Sequence, residues 1–415
     1  MDRAEDWTFR MPRHSAAERI IVQICGGTMP GTEQFASLDP VGWNALEAIS
    51  VRTRTANLVH RHIADHAINV PSAIAASLSH FYRRQSIYAL EQKIVLARIA
   101  DLLNAKGIDH VALKGSALAF TLYPQPAMRP LRDLDILVPS ERAVEARDWL
   151  LRNRFVHAPW AKDYGTEFNH QLPELVCEEH EVTVEIHHRI FSRDWDGDPV
   201  LTDMLLRTGH AVKAAGSTIF LAAPLPNLLH LTVHATLHKC FDNGPLTIAD
   251  IHYLWRHPDL DRKKVMDEAD RLDLGRSLDL LLAVARESGP IDIPSELNAR
   301  VDDAAPFVAD AVEAMFQVPA QAGKRALMRR LEVEEAGSGP LGALRKAIHP
   351  TPQKLADLVS TNAADRLRWT AYPLWIWQRG RNYLASLANS SLREAARRDA
   401  RMLDWLRHGQ DKQSR

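Results

Sequence analysis

The stretch from Leu131 to Val138 constrains the fold more than any other part of the chain. Leu131, Asp133, Asp135 and Leu137 alternate with Arg132, Leu134, Ile136 and Val138, which is the period-two pattern of a β-strand. Asp133 and Asp135 therefore project from one face. Two carboxylates held there among Leu and Val side chains repel each other unless a cation lies between them. Oxygen ligands on a rigid strand suit Mg²⁺, which takes one or two carboxylates and fills its shell with water and substrate phosphates. Read alone, the pattern also fits an edge strand that keeps its polar face in water.

Helical periodicity surrounds this strand. Residues 1 to about 107 read as helical, with apolar residues at helical spacing over Val41 to Ala67 and Ala73 to Ala105. Pro71 sits where a first helical residue is tolerated, and Gly107 follows the last turn as a helix stop. The pattern then changes. His110 to Leu113 is a short apolar run ending in Lys114-Gly115, and Pro139-Ser140-Glu141 opens a helix to about Asn153. Glu181 to Ile190 alternates Val182, Val184 and Ile186 against Thr183, Glu185 and His187, and Ser217 to Leu221 is one more strand. Residues 108–222 thus read as a small α+β unit with antiparallel or mixed strands.

Beyond Pro226 the chain is helical, over Asn227 to His238, Ile248 to His257, Arg262 to Leu272 and Leu278 to Glu287. Gly337 to Gly342 reads as a linker, and Asn362 to His408 as a basic, tryptophan-bearing helical tail. The expected division is 1–107 helical, 108–222 α+β, 223–336 helical, and 337–415 basic and helical. There is no fixed-period repeat and no low-complexity segment.

Composition narrows the function classes. The 415 residues carry 52 acidic and 51 basic side chains, for a net charge of -1. That balance argues against a disordered polyelectrolyte and against a protein whose main task is to coat nucleic acid. The three cysteines, Cys25, Cys177 and Cys240, are far apart with no CxxC, so neither a disulfide scaffold nor a cysteine zinc site is expected. Charged residues interrupt the first thirty positions where a secretory segment would be apolar, and no run approaches the ~20 apolar residues of a membrane helix. A cytoplasmic, multi-part protein without a membrane partner is the expectation.

The chemistry concentrates in three segments. Gly115-Ser116 follows a strand and opens a short helix, a turn whose backbone N–H groups can cradle phosphate. Asp133 and Asp135 form the second segment, and Glu185 stands singly in a later apolar strand. A Gly-Ser turn, a DxD strand and a later strand carboxylate together describe a polymerase-type nucleotidyltransferase palm. Lys114 and Arg129 are candidate phosphate cations, Arg as a fork and Lys as a point charge, or else partners in ordinary salt bridges.

Three blocks carry a family resemblance. They are Leu113-Lys114-Gly115 with Tyr123-Pro124 and Arg129-Pro130-Leu131-Arg132-Asp133-Leu134-Asp135-Ile136-Leu137-Val138, then Val184-Glu185-Ile186-His187-His188, then Leu228-Leu229-His230-Leu231 with His234 and Asp250-Ile251. Together they resemble the uncharacterised bacterial nucleotidyltransferase family of the polymerase-beta-like superfamily, over roughly residues 90–260. Glu185 stands where Asp is commoner in that superfamily. The resemblance implies an α+β palm, a mixed sheet with helices, flanked by N-terminal and C-terminal helical regions. It implies Asp133, Asp135 and Glu185 as metal ligands and catalytic residues for Mg²⁺, with Mn²⁺ as a substitute. Lys114, Gly115, Ser116 and Arg129 would bind an NTP such as ATP, with the Gly115 and Ser116 N–H groups on the β- and γ-phosphates. An acceptor oxygen would attack the α-phosphorus in line and pyrophosphate would leave.

Other features weigh less. His230, His234 and His238 share a helix face, but three ligands in one helical row rarely converge tetrahedrally, so a packing or cleft-lining role is favoured over metal. His187, His230 and His234 are candidate acceptor-side residues, with orientation of the Glu185 carboxylate as the other role open to His187, while Asp250 is expected to cap or pair. Trp369, Trp375 and Trp377 lie among Arg366, Arg368, Arg379 and Arg381, a combination that can bind nucleic acid or peptide but more simply packs a helix with a solvated basic face. Two rival readings stay open: a DxD sugar-nucleotide glycosyltransferase, and a non-catalytic binding protein on the same scaffold. The acceptor, whether small molecule, sugar, peptide, protein or RNA, and the base of the nucleotide are not legible in the sequence.

Overall fold

The structure is a computed structural model that describes residues 14–162, 166, 169–191, 195–318, 320–330, 332, 355, 358, 366–387 and 389–409. Pro40 begins a helix that runs to Arg52, capped by the Asp39 carboxylate, which accepts the Gly42 N–H at 2.7 Å. The helical spacing read over 41–67 resolves into two helices, Pro40–Arg52 and Ala56–Asp65. The break falls at Arg54, whose φ is +63°. Thr53 locks it, donating its hydroxyl to Ile49 O at 2.8 Å and meeting the Thr55 hydroxyl at 3.0 Å. The next helix, Ser72–Ala105, has 34 residues and stops at Gly107, whose φ of +61° suits glycine.

Seven strands follow: β1 (Val111–Ala112), β2 (Asp133–Leu137), β3 (Phe155–His157), β4 (Leu175–Cys177), β5 (Val182–His187), β6 (His210–Ala214) and β7 (Ser217–Leu221). They form one sheet in the order β3-β4-β5-β2-β1-β7-β6. β2 pairs parallel with β5 and antiparallel with β1, and β1 pairs parallel with β7, so the sheet is mixed. Three strands had no signal in the sequence. β3 and β4 have three residues each, too few to show alternation, and β6 is a largely exposed edge strand with no apolar run.

The central place of β2 excludes the edge-strand reading of its carboxylates. Leu134, Ile136 and Leu137 are buried, and so is Asp135. In β5 the alternation holds, with Val182, Val184 and Ile186 buried and Thr183 and Glu185 partly exposed, but His187 is buried too. The helix read over 227–238 is two pieces, Pro224–Val233 and a π-helical turn His234–His238. After it, Cys240 and Phe241 take left-handed φ values of +47° and +63°.

Helices Leu246–Trp255, Arg262–Arg271 and Gly275–Ser288 lie close to their expected spans. The buried apolar residues of the helical segments and the sheet form one cluster that reaches from Ala17 to Leu406. Trp375 is buried in a small separate cluster with Leu355 and Ala371. Trp369 and Trp377 are exposed, with the Arg381 guanidinium 4.8 Å from the Trp377 ring centre. The linker read at Gly337–Gly342 and the side chains of Arg366, Arg368 and Arg379 lie outside the described residues. Among the described residues, no helix is long and apolar enough to cross a membrane.

Candidate active site

The parallel register of β2 and β5 assembles the site. Asp133 stands opposite Thr183 and Asp135 opposite Glu185, so carboxylates far apart in the chain share one face of adjacent strands. They open into a cavity of about 650 Å³, whose lining includes Lys114, Gly115, Asp133, Asp135 and Glu185. Arg129, His234 and Asp250 line it as well.

Asp135 is the most tightly held of the acids. Its Oδ1 accepts from Lys114 Nζ at 2.9 Å and lies 3.0 Å from His187 Nε2, while its backbone N–H donates to the Ser116 hydroxyl at 3.0 Å. Burial pushes the Asp135 carboxyl up, but Lys114 and His187 outweigh it and hold the group well below the usual carboxylate range. His187 Nε2 is also 3.3 Å from Glu185 Oε2, so one imidazole joins both strands' carboxylates. Burial and Lys114 depress the His187 pKa, yet its two carboxylate contacts raise it on balance. The Asp133 carboxylate has no hydrogen-bonded cation among the described residues. Burial, Asp135 and Glu185 push its carboxyl up to about 7, against the opposing pull of Lys114 and Arg54.

The crowding of Asp133, Asp135 and Glu185 on one face tests the fit of a divalent cation, and their carboxylate oxygens fit. One ligand atom each from Asp135, Glu185 and His187 lie within 4.8 Å of one another, and Asp133 projects from the same strand face. A set of carboxylate oxygens suits Mg²⁺ or Mn²⁺, while the His187 Nε2, within hydrogen-bond reach of Asp135 and Glu185, orients those carboxylates. The contacts of His187 with Asp135 and Glu185 match the carboxylate-orienting role open to it in the sequence.

The turn before β2 is fastened to the sheet and lines the cavity through Lys114 and Gly115. The Ser116 hydroxyl is fully buried and faces the Asp135 backbone, so it ties the turn to β2 beneath the cavity. Lys114 takes a left-handed φ of +47°, and its N–H donates to Asn227 Oδ1 at 3.0 Å. A side chain at Gly115 would meet Leu131 Cδ2 at 2.7 Å and the Arg129 guanidinium at 3.3 Å. Glycine is required there by the packing of the chain on itself. Gly115→Val should therefore displace Leu131 and Arg129 and lower both the thermal midpoint and NTP affinity. An unchanged midpoint would show that the turn has room that the geometry denies.

Arg129 is engaged rather than free. Its Nε and Nη2 form a fork on Asp250, at 2.7 Å to Oδ1 and 2.8 Å to Oδ2, and the Tyr123 hydroxyl donates to the same Oδ1 at 2.7 Å. Asp250 pairs, as expected of it. Burial disfavours the Arg129 charge, but Asp250 more than restores it and the guanidinium pKa is raised. Arg129 therefore joins the loop before β2 to helix Leu246–Trp255 at the cavity wall. Asn57 holds the same loop from the other side through Ala127 O at 2.5 Å.

The histidines form one wall. His170 and His187 have ring centres 5.4 Å apart, His170 and His238 5.5 Å, and His234 and His238 5.3 Å. His170, His234 and His238 line the cavity, whereas His230 is buried behind it with neither ring nitrogen paired among the described residues. Burial is the main cause that lowers the pKa of all four, with Lys114 acting in the same direction on each. They are neutral imidazoles at pH 7. His170 and Asn227 carry no motif in the sequence and were not read as site residues.

A mixed α+β sheet with facing carboxylates on its central strands defines the nucleotidyltransferase class of fold. The chain belongs to the uncharacterised nucleotidyltransferase family, whose model matches residues 39–289. No curated protein matches it.

Proposed function

We propose that the protein transfers a nucleoside monophosphate from an NTP to a hydroxyl-type acceptor, with Mg²⁺ or Mn²⁺ held by Asp133, Asp135 and Glu185. The observation that carries this reading is the β2–β5 register, which brings Asp135 beside Glu185 and Asp133 onto the same face of one cavity. The ion, when bound, would neutralise phosphate charge and lower the pKa of the acceptor oxygen.

The chain's own residues set the geometry. Lys114 and His187 orient the Asp135 carboxylate, and His187 steadies Glu185 through its second contact. Both acids are then held in place before substrate arrives, which saves reorganisation in the transition state. The neutral wall of His170, His234 and His238 offers hydrogen bonds to a polar acceptor without adding charge. The acceptor oxygen forms its bond to the α-phosphorus as the bond to the bridging oxygen breaks, and pyrophosphate departs.

The test is incubation with α-phosphate-labelled NTPs, Mg²⁺ and cell extract, followed by identification of the labelled product. Failure of every common NTP to transfer label would remove the reading. Glu185→Gln should slow the single-turnover rate by about 10²-fold while changing the NTP dissociation constant by less than about threefold, because Glu185 acts toward the acceptor. A large loss of NTP affinity at an unchanged rate would mean that Glu185 serves the triphosphate instead.

A further inference from the structure

We infer that Arg54, in the break between two N-terminal helices, clamps the triphosphate tail of the substrate in the cavity that the acids line, with Arg132 and Lys239 as its companions. This rests on the nucleotide reading above and assigns that site an anion-binding half. Five cationic residues line the cavity, namely Arg54, Lys114, Arg129, Arg132 and Lys239. Lys114 is committed to Asp135 and Arg129 to Asp250. The side chains of Arg54, Arg132 and Lys239 make no hydrogen bond or ion pair among the described residues. Three unpaired cations from three separate segments converge on one cavity.

Arg54 is the most telling of them. It is half-buried, and burial together with Arg129 and Arg132 pushes its pKa down to about 9, against the opposing pull of Asp133 and Asp250. An arginine held among like charges in a partly desolvated site costs free energy until an anion arrives. Its backbone adds a second cost. The φ of +63° is the left-handed conformation that asparagine or glycine takes more easily, and a bulky side chain there is an outlier. Thr53 and Thr55 hold this break in place, which aims the side chain into the cavity. Lys239 arrives by a comparable route, directly after the π-helical turn and before the left-handed pair Cys240 and Phe241. A tail with three phosphates supplies the charge that these groups lack, and an arginine fork suits its oxygens.

Equilibrium binding on the full chain tests this, with common NTPs, the matching NMPs and inorganic tripolyphosphate as probes in Mg²⁺ buffer. Arg54→Asn accepts the left-handed backbone, so it isolates the loss of the charge. It should weaken NTP and tripolyphosphate binding about ten- to hundredfold and leave NMP binding within about threefold. Arg54→Lys should recover part of the loss, and Lys239→Gln, at an exposed position, should shift binding in the same direction. Wild-type binding of NTP with no change in either Arg54→Asn or Lys239→Gln would overturn the clamp and leave the nucleotide reading standing. Tripolyphosphate binding that Arg54→Asn abolishes, in a protein that ignores every NTP, would uphold the clamp and overturn the nucleotide reading. Binding of neither probe by the wild type would remove both.

Discussion

Asp133→Asn and Asp135→Asn should each cut nucleotidyl transfer by at least about 10³-fold, a loss of roughly 4 kcal/mol of transition-state stabilisation. The two variants should differ in stability, and that difference tests the geometry independently of activity. Asp133 has its carboxyl pushed up to about 7 from a model-compound value of 3.8. A raised folded-state pKa contributes stability that is present below about pH 4 and lost as pH rises through about 7. In the metal-free protein, Asp133→Asn should therefore be more stable than wild type by the order of 1–3 kcal/mol above pH 7, with the gap closing toward pH 4. Asp135 has a lowered pKa, so its ionised form stabilises the fold at neutral pH. Asp135→Asn leaves the buried Lys114 ammonium without its counter-charge and should destabilise by roughly 3 kcal/mol. Denaturant melts in a chelator across pH 4–8 would decide the matter. A destabilised Asp133→Asn at pH 8, or full activity in either variant, would sink the assignment.

Asp250→Ala should be the most destabilising single change near the site, by roughly 3–5 kcal/mol. It strands the buried Arg129 guanidinium and removes the acceptor of the buried Tyr123 hydroxyl at once. Asp250→Asn should cost less, because the amide oxygen still accepts from Tyr123. Adding Arg129→Met to Asp250→Ala should recover part of the loss, since both partners of a buried pair can be removed at less cost than one. The measurement is the shift in denaturant midpoint at constant slope. Equal midpoints for wild type and Asp250→Ala would show that the pair bears no weight. Arg129 would then be free for phosphate after all.

The α+β class, the central DxD strand and the later strand carboxylate were legible because each depends on local spacing alone. Period-two alternation places Asp133 and Asp135 on one face of β2 wherever that strand lies, and the same rule puts Glu185 and His187 together on β5. What such spacing leaves undetermined is which strands become neighbours and in what register. The β2–β5 pairing alone sets Asp135 opposite Glu185, and that choice belongs to the whole sheet. Short or exposed strands such as β3, β4 and β6 leave no periodic trace, so their places came from pairing with neighbours.

Residue type does not show which tertiary partners a side chain meets. The Ser116 hydroxyl and the Arg129 guanidinium, enclosed by the fold, need hydrogen-bond partners. The Asp135 backbone and the Asp250 carboxylate supply them. Arg54 went unread for the opposite reason. Its importance lies in a helix break and an unpaired charge, and neither exists until distant helices close over the sheet. Local chemistry determined which groups could hold metal. The long-range packing, which must satisfy every buried polar group it encloses, decided which cations were left free to face the substrate.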